Sequence, residues 1–225
     1  MRGASAAASA PPGEAQGLGA CPARGAQGSE VLDPRNMMPV LPQTPGPGQT
    51  AELSKVRETS TIPKADSDEK WVYPSAQQFY NALLRKNKEA DAEAMDAVIH
   101  VHNKTNEKTW KLILDWEGLH QKACPTPSLL RFVGRSTEPS LGARWSSALS
   151  YRGLPFDRHD WFVDRCGQRV VRYVIDYYDD PRSGEDLNIT IEARPALDSL
   201  GAAVDRLRRP RWQLRRIWGA LFGSA

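Results

Sequence analysis

Residues Val170 to Tyr178 alternate so regularly that they admit one local structure. Val171, Tyr173, Ile175 and Tyr177 fall on one side of a period-two strand, and Val170, Arg172, Val174 and Asp176 on the other. The chain enters this strand through a dense polar and aromatic stretch from Leu154, in which His159 stands between Asp157 and Asp160 and is followed by Trp161. Cys166-Gly167 reads as the turn before the strand. Asp179 to Asp186 is a polar turn, and Asn188 to Ala193 returns as a second strand, so a hairpin is expected.

Upstream, the periodicity changes from two to about 3.6. Ser75 with Gln78 forms a capping box behind Pro74, which predicts a helix from Ala76 to about Lys86 with Phe79, Tyr80 and Leu83 on its buried side. A second helix is expected from about Ala90 to His102, since Met95, Val98, Ile99 and His102 share one stripe. The run His102 to Asn106 reads as a break, with Thr105 or Asn106 capping a third helix. Its apolar stripes are Trp110, Ile113 and Leu114, and Leu112, Trp116 and Leu119. His120 ends that helix, where an imidazolium suits the dipole, and Cys124-Pro125 stops it. Ser128 to Arg135 is a short extended piece, and residues 136–153 read as loop. A last helix is expected from Pro195, with Leu197, Leu200, Val204 and Leu207 on its apolar face. Beyond Asp205 it turns basic through Arg206, Arg208, Arg209, Arg211, Arg215 and Arg216, interleaved with Trp212, Trp218 and Phe222, and Pro210 kinks or interrupts it. Such a tail suits either an anionic membrane surface or a solvated terminal helix.

These elements predict an α+β fold, with several helices around a small antiparallel hairpin sheet. Residues 1 to about 65 are dominated by Ala, Gly, Pro and Ser, too few apolar groups to offset chain entropy, so they are expected to be a disordered tail, with the folded domain spanning 66–225. The first thirty residues carry only Arg2 and Arg24 against Glu14 and Glu30, a poor match to an Arg-rich, acid-poor import presequence. No run of eighteen apolar residues occurs, so no membrane-spanning helix is expected. A net charge of +3 gives no argument for nucleic acid as a partner. The three cysteines, Cys21, Cys124 and Cys166, are isolated and odd in number, and support neither a disulfide framework nor a zinc site.

Several stretches, in fixed order, resemble the cytochrome c-type holosynthases, or cytochrome c haem lyases, of mitochondria. They are LDPRNMMP (Leu32 to Pro39), STIPKADSDEKWVYPSAQQFYNALLRK (Ser60 to Lys86), HNKTNEKTW (His102 to Trp110), PFDRHDW, DRCG, VRYVIDYYD and ARPALDSL (Ala193 to Leu200). The resemblance covers roughly the last four-fifths of the chain. It departs at Asn87 to Ala94, where relatives carry a longer stretch bearing tryptophan, and at Ser140 to Arg144, where they tend to read Ser-Pro-Lys-Ala-Arg.

The resemblance implies a lyase that joins haem b, with its iron reduced, to the Cys-x-x-Cys-His motif of apocytochrome c through two thioether bonds; the acceptor is apocytochrome c, apocytochrome c1 or both. It implies work in the intermembrane space, with peripheral contact to the mitochondrial inner membrane. His102 becomes the axial iron ligand and the catalytic centre of a templating mechanism, in place of a hydrogen-bonded core histidine. Asn103, Glu107 and Trp110 match the same motif and line the haem. Trp71 stacks on the porphyrin or pins the entry to its helix. Cys21, in a Cys-Pro pair, contacts haem or is a chance dipeptide. His159 supports the haem site, oriented by Asp157 or Asp160, or else the cluster is a charge network with Arg158 and Arg165. Two other classes remain: a non-enzymatic haem carrier, and a hydrolase built on the Asp-Arg-His-Asp cluster, which lacks a nucleophile or metal set.

Overall fold

The computed structural model describes residues 31–135, 143, 153–180 and 188–222, with the backbone alone described beyond residue 214. Residues 1–30, including Cys21, and most of the expected loop at 136–153 lie outside the described residues. The fold is α+β, as expected.

The regular alternation sits in the middle of a four-stranded antiparallel sheet of order β5-β6-β7-β8. Here β5 is Ser128–Gly134, β6 Asp157–Asp164, β7 Val170–Asp179 and β8 Ile189–Pro195. The expected hairpin is β7-β8, but the polar stretch before it is itself a strand, pairing His159 with Ile175 and Trp161 with Tyr173. Between β6 and β7 the chain reverses through Cys166 and Gly167, both in the left-handed region at φ 52° and 71°. Val171, Tyr173, Ile175 and Tyr177 face the main core with Trp161 and Val163 from β6, and helix α2 covers that face with Trp110, Ile113 and Trp116.

Helix α1, Ala76–Arg85, begins at the predicted capping box: Ser75 Oγ accepts from Gln78 N–H, and the Gln78 side chain accepts from Ser75 N–H. Helix α2 runs unbroken from Met95 to Glu117, so the expected break at His102 to Asn106 is absent. The polar residues there satisfy themselves without ending the helix. Asn106 Nδ2 donates to His102 O at 2.9 Å, Thr109 Oγ1 donates to Thr105 O at 2.8 Å, and Asn103 Nδ2 reaches Glu58 at 2.8 Å. A single-turn 3-10 helix, Gly118–His120, follows. Helix α3, Leu200–Phe222, starts five residues later than expected, because Pro195 closes β8 opposite Tyr173 and Ser199 Oγ accepts from Ala202 N–H as the cap. Pro210 lies within it without ending it.

The expected boundary near residue 66 falls inside packed structure. Strands β1 (Leu32–Asp33) and β2 (Met38–Pro39) form a short hairpin, and β3 (Thr59–Pro63) pairs with β4 (Lys70–Val72). Composition misjudged this arm because polar contacts hold it. Arg57 donates to Asp33 Oδ2 at 2.6 Å and to the carbonyls of Tyr73 and Val72, while Leu53 and Ile62 supply buried apolar groups. Ala65 N–H and Trp71 Nε1 both donate to Leu129 O, which ties this unit to the edge of the main sheet.

The isolated cysteines give no support for a disulfide, yet Cys124 and Cys166 form one. The pairing of Ser128 with Asp164 brings the segment after α2 beside the β6-β7 turn, which no sequence spacing shows. Closing a loop of 42 residues contributes about 4 kcal/mol in the chain-entropy view. Next to it lies a buried ionic network. Arg165 Nε and Nη2 bind the two oxygens of Glu117 at 2.7 and 2.9 Å, Arg165 Nη2 reaches Asp205 at 3.3 Å, Tyr173 donates to Glu117, and His120 Nε2 sits 2.9 Å from Asp205. Arg165 is held well above its ordinary pKa by Glu117, against the opposing effect of burial.

Replacing Arg165 with Ala would strand two buried carboxylates, and a loss of roughly 3–5 kcal/mol is expected in chemical denaturation with the disulfide intact. A loss under about 1 kcal/mol would mean that Glu117 and Asp205 are rehydrated without it.

Candidate functional site

The site is organised by one face of α2. His102 lies in its second turn, partly buried, with the Phe79 ring of α1 at 5.0 Å between centroids and the Tyr73 ring edge-on at 6.0 Å. Its two nitrogens are differentiated by amides: Nδ1 lies 3.2 Å from Asn103 Oδ1, an acceptor, and Nε2 lies 3.2 Å from Asn106 Nδ2, a donor. These partners favour the tautomer with the proton on Nδ1 and a lone pair on Nε2. Asn103 is held in turn by Glu58 of the N-terminal arm, which makes a relay Glu58–Asn103–His102. Burial depresses the His102 pKa, offset in part by the Asn103 bond and reinforced by the charge of His159. The ring is therefore a neutral donor near pH 7, as a metal ligand must be.

His159 belongs to the core face of β6. Its ring meets the Tyr177 ring edge-on at 5.5 Å, and Tyr177 OH is 3.2 Å from Thr109 Oγ1, two turns along α2 from His102. The charge of His159 acts on His102, and Lys86 at the end of α1 acts on His159, so the two imidazoles are within electrostatic reach. Strand parity decides between the two flanking aspartates. Asp157 shares the face of His159, its Oδ2 3.3 Å from Nε2. Asp160 faces the other way, fully buried among Arg135, Arg158 and Arg172 at 3.0–3.1 Å. The charge network weighed as an alternative exists, but around Asp160, and Arg165 belongs to the separate Glu117 cluster. Burial is the largest influence on the His159 pKa and lowers it, opposed by Asp157.

The other sequence candidates take different positions. Glu107 accepts from Thr61 N–H at 3.0 Å, from Thr61 Oγ1 and from Tyr73 OH at 2.9 Å, so it fastens α2 to β3 and positions Tyr73. Trp71 and Trp110 are 4 % and 3 % exposed within the main core, which leaves neither indole an open face; they back the aromatic wall from inside. Cys21 lies outside the described residues. Reasoning from sequence missed Tyr73, Tyr177 and Glu58. Tyr177 was detectable, since it shares the period-two face with Ile175; Glu58 carried no signal. A groove of about 330 Å³ lined by Phe162, Arg165, Arg169, Arg172, Ser199 and Asp205 lies at the α3 end and includes none of the His102 group. Among the described residues, no cluster of three or more His, Cys, Asp or Glu side chains could hold a bare metal ion.

The sequence profile of the cytochrome c/c1 heme lyase family matches residues 4–210. A holocytochrome c-type synthase of Bos taurus is 52% identical over 202 residues, covering 86% of this chain and 73% of the relative. The holocytochrome-c synthase of Saccharomyces cerevisiae is 38% identical over 205 residues, covering 80% and 76%. A putative holocytochrome-c1 synthase of Schizosaccharomyces pombe is 43% identical over 157 residues, covering 67% and 72%. No solved structure matches the chain.

Both histidines are depressed in the folded state, so the unfolded chain binds protons more readily. Their contribution to stability is complete above the unfolded value of about 6.5 and is lost as pH falls below it. Thermal denaturation between about pH 7.5 and 5.5 is expected to show this decline, and His102→Gln to flatten it. An unchanged slope in the variant would contradict burial of a neutral ring.

Proposed function

The chain belongs to the cytochrome c/c1 haem lyase family, and on that premise we propose that it is a holocytochrome c synthase, adding the two cysteine thiols of an acceptor Cys-x-x-Cys-His motif across the two vinyl groups of haem b. Each addition breaks one S–H bond and one vinyl π bond and forms one C–S and one C–H bond, with no net change of oxidation state. Haem is the substrate, with its iron reduced. Relatives named for cytochrome c and for cytochrome c1 make the two apocytochromes the acceptors to test.

His102 Nε2 is the protein's axial ligand. The observation that carries this reading is the amide pair around the ring: Asn103 takes the Nδ1 proton and leaves a neutral nitrogen lone pair beside Phe79 and Tyr73. Asn106 must release Nε2 when iron binds. The acceptor's own histidine takes the opposite face, which brings its cysteines to the vinyl carbons, so that proximity supplies much of the rate. Glu107 works through Tyr73, and Trp71 and Trp110 stiffen the wall behind the macrocycle.

The site of action is the intermembrane space of mitochondria, at the surface of the inner membrane. Helix α3 supports peripheral attachment because it is amphipathic in an unusual sense. Asp205 and Arg209 turn inward to His120, Arg165 and Asp115, while Leu200, Leu207 and Leu214 are 89%, 77% and 65% exposed, beside exposed Arg208 and Arg211. Leucines flanked by arginines suit an anionic lipid surface. No helix among the described residues is long and apolar enough to cross a bilayer. The Cys124–Cys166 disulfide fits an oxidising compartment.

His102→Ala is expected to fold with its disulfide, to purify with little haem, and to yield little holocytochrome on co-expression with apocytochrome c, read by haem stain of the denatured gel. Asn103→Ala is expected to weaken haem binding by roughly 10–100-fold. A normal haem spectrum in His102→Ala together with loss of haem in His159→Ala would move the ligand to β6. High salt or alkaline washing is expected to release the protein from mitochondrial membranes, and retention after alkaline extraction would require another anchor.

A further inference from the structure

Adding a thiol across a vinyl group requires a proton to leave sulfur and reach carbon, and the templating role of His102 supplies no group for that transfer. His159 has the features of one. With Asp157 Oδ2 3.3 Å from Nε2, the tautomer bearing its proton on Nε2 is favoured, leaving the Nδ1 lone pair as a base. That Nδ1 is buried and has no hydrogen-bond partner among the described residues. A buried unpaired polar atom costs roughly 1–3 kcal/mol and calls for a role. A carboxylate beside one ring nitrogen while the other has no partner is an arrangement that can orient an imidazole base and stabilise its protonated form.

We propose that His159, positioned by Asp157, is the base and acid of the attachment step: Nδ1 takes the proton from the acceptor cysteine and returns it to the terminal vinyl carbon as sulfur bonds to the inner one. The imidazole is regenerated at each addition, and no oxidant or reductant is consumed. This inference rests on the haem-attachment reading and deepens it.

Other groups around the region do not compete. Glu107 is saturated by Thr61 and Tyr73. Tyr177 is tied to Thr109, and burial raises its pKa well above the ordinary phenol value, so it is a poor base. The charged groups acting on His159 are Asp157 and Asp160 from its own strand and Lys86 from the end of α1, and His159 in turn lowers the pKa of His102 on α2. Burial and Lys86 favour the neutral ring required to accept a proton, and Asp157 favours the imidazolium that follows.

The test uses purified full-length protein loaded with haem, mixed with apocytochrome c under a reductant, following thioether formation in a single turnover. His159→Gln is expected to keep its haem spectrum and bind the acceptor, yet attach haem roughly hundredfold more slowly. Asp157→Asn is expected to lie between it and the wild type. The wild-type rate is expected to fall as pH drops below the ordinary histidine value of about 6.5, through the lowered pKa of His159, and His159→Gln to lose that dependence. Attachment by His159→Gln within about twofold of the wild type, or the same pH profile in both, would overturn the proposal. Loss of the haem spectrum would also overturn it, by making His159 a binding residue. Should His159→Gln fail to fold, the rate and pH profile of Asp157→Asn decide. Failure of the ligand reading would appear separately, as haem retained by His102→Ala.

Discussion

The bidentate pair of Arg165 with Glu117 fixes where everything else sits. Both side chains are nearly without solvent, so neither charge is tolerable alone, and their geometry must be satisfied before the core can close. Glu117 is the last residue of α2, and Arg165 opens the turn between the two central strands. Fixing them together sets the position of a rod of 23 residues, roughly 35 Å long, across the sheet. Glu107 holds the same rod farther along through Thr61 and Tyr73. With two points fixed, the position of His102 beside Tyr73 and Phe79 follows from helix geometry. Asp205 and His120 join α3 to the first of those points, so the outward face of the last helix is set by the same charges.

What could be read from the chain was what is encoded over short distances. The alternation of β7, the capping box at Ser75 and the Cys166-Gly167 reversal are local rules, and they hold. What escaped was encoded across the fold. The segment of Asn and Thr after His102 reads as a helix break when only propensity is weighed; with Glu58 available to Asn103, the helix continues. The disulfide required knowledge of the β5-β6 pairing. The arm at 31–65 looked like tail because its stability comes from Asp33, Arg57 and backbone carbonyls in place of a large apolar core. Helix α3 started late because its true cap, Ser199, is less conspicuous than Pro195.

The candidate site divides in the same way. The role proposed for His102 came from resemblance, since a histidine on an apolar helical stripe is ambiguous by itself. The choice between Asp157 and Asp160 was within reach of the sequence. Had the period-two rule been carried back into the Asp157 to Asp164 stretch, parity alone would have set Asp157 beside His159 and Asp160 behind the sheet. Trp71 and Trp110 show the opposite risk. They stand where motif logic wants a stacking surface, but a ring 3–4% exposed is packing for its neighbours before it is anything else.

The relay from Glu58 through Asn103 to His102 gives the N-terminal arm a thermodynamic stake in the ring it helps to hold. Whatever free energy the docked arm lends to coordination at Nε2, coordination must return to the docking of the arm, because the two equilibria share one cycle. If His102 takes the iron as proposed, capture of the macrocycle would therefore tighten the arm on the body. Conversely, under the proposed ligation, loosening the arm would weaken the grip on iron, at the cost of its polar contacts at Asp33, Arg57 and Glu58 and of the buried Leu53 and Ile62. An enzyme whose product carries away the very group it bound needs such a release, and with His102 in its proposed role that release would be operated by a segment more than forty residues distant in sequence.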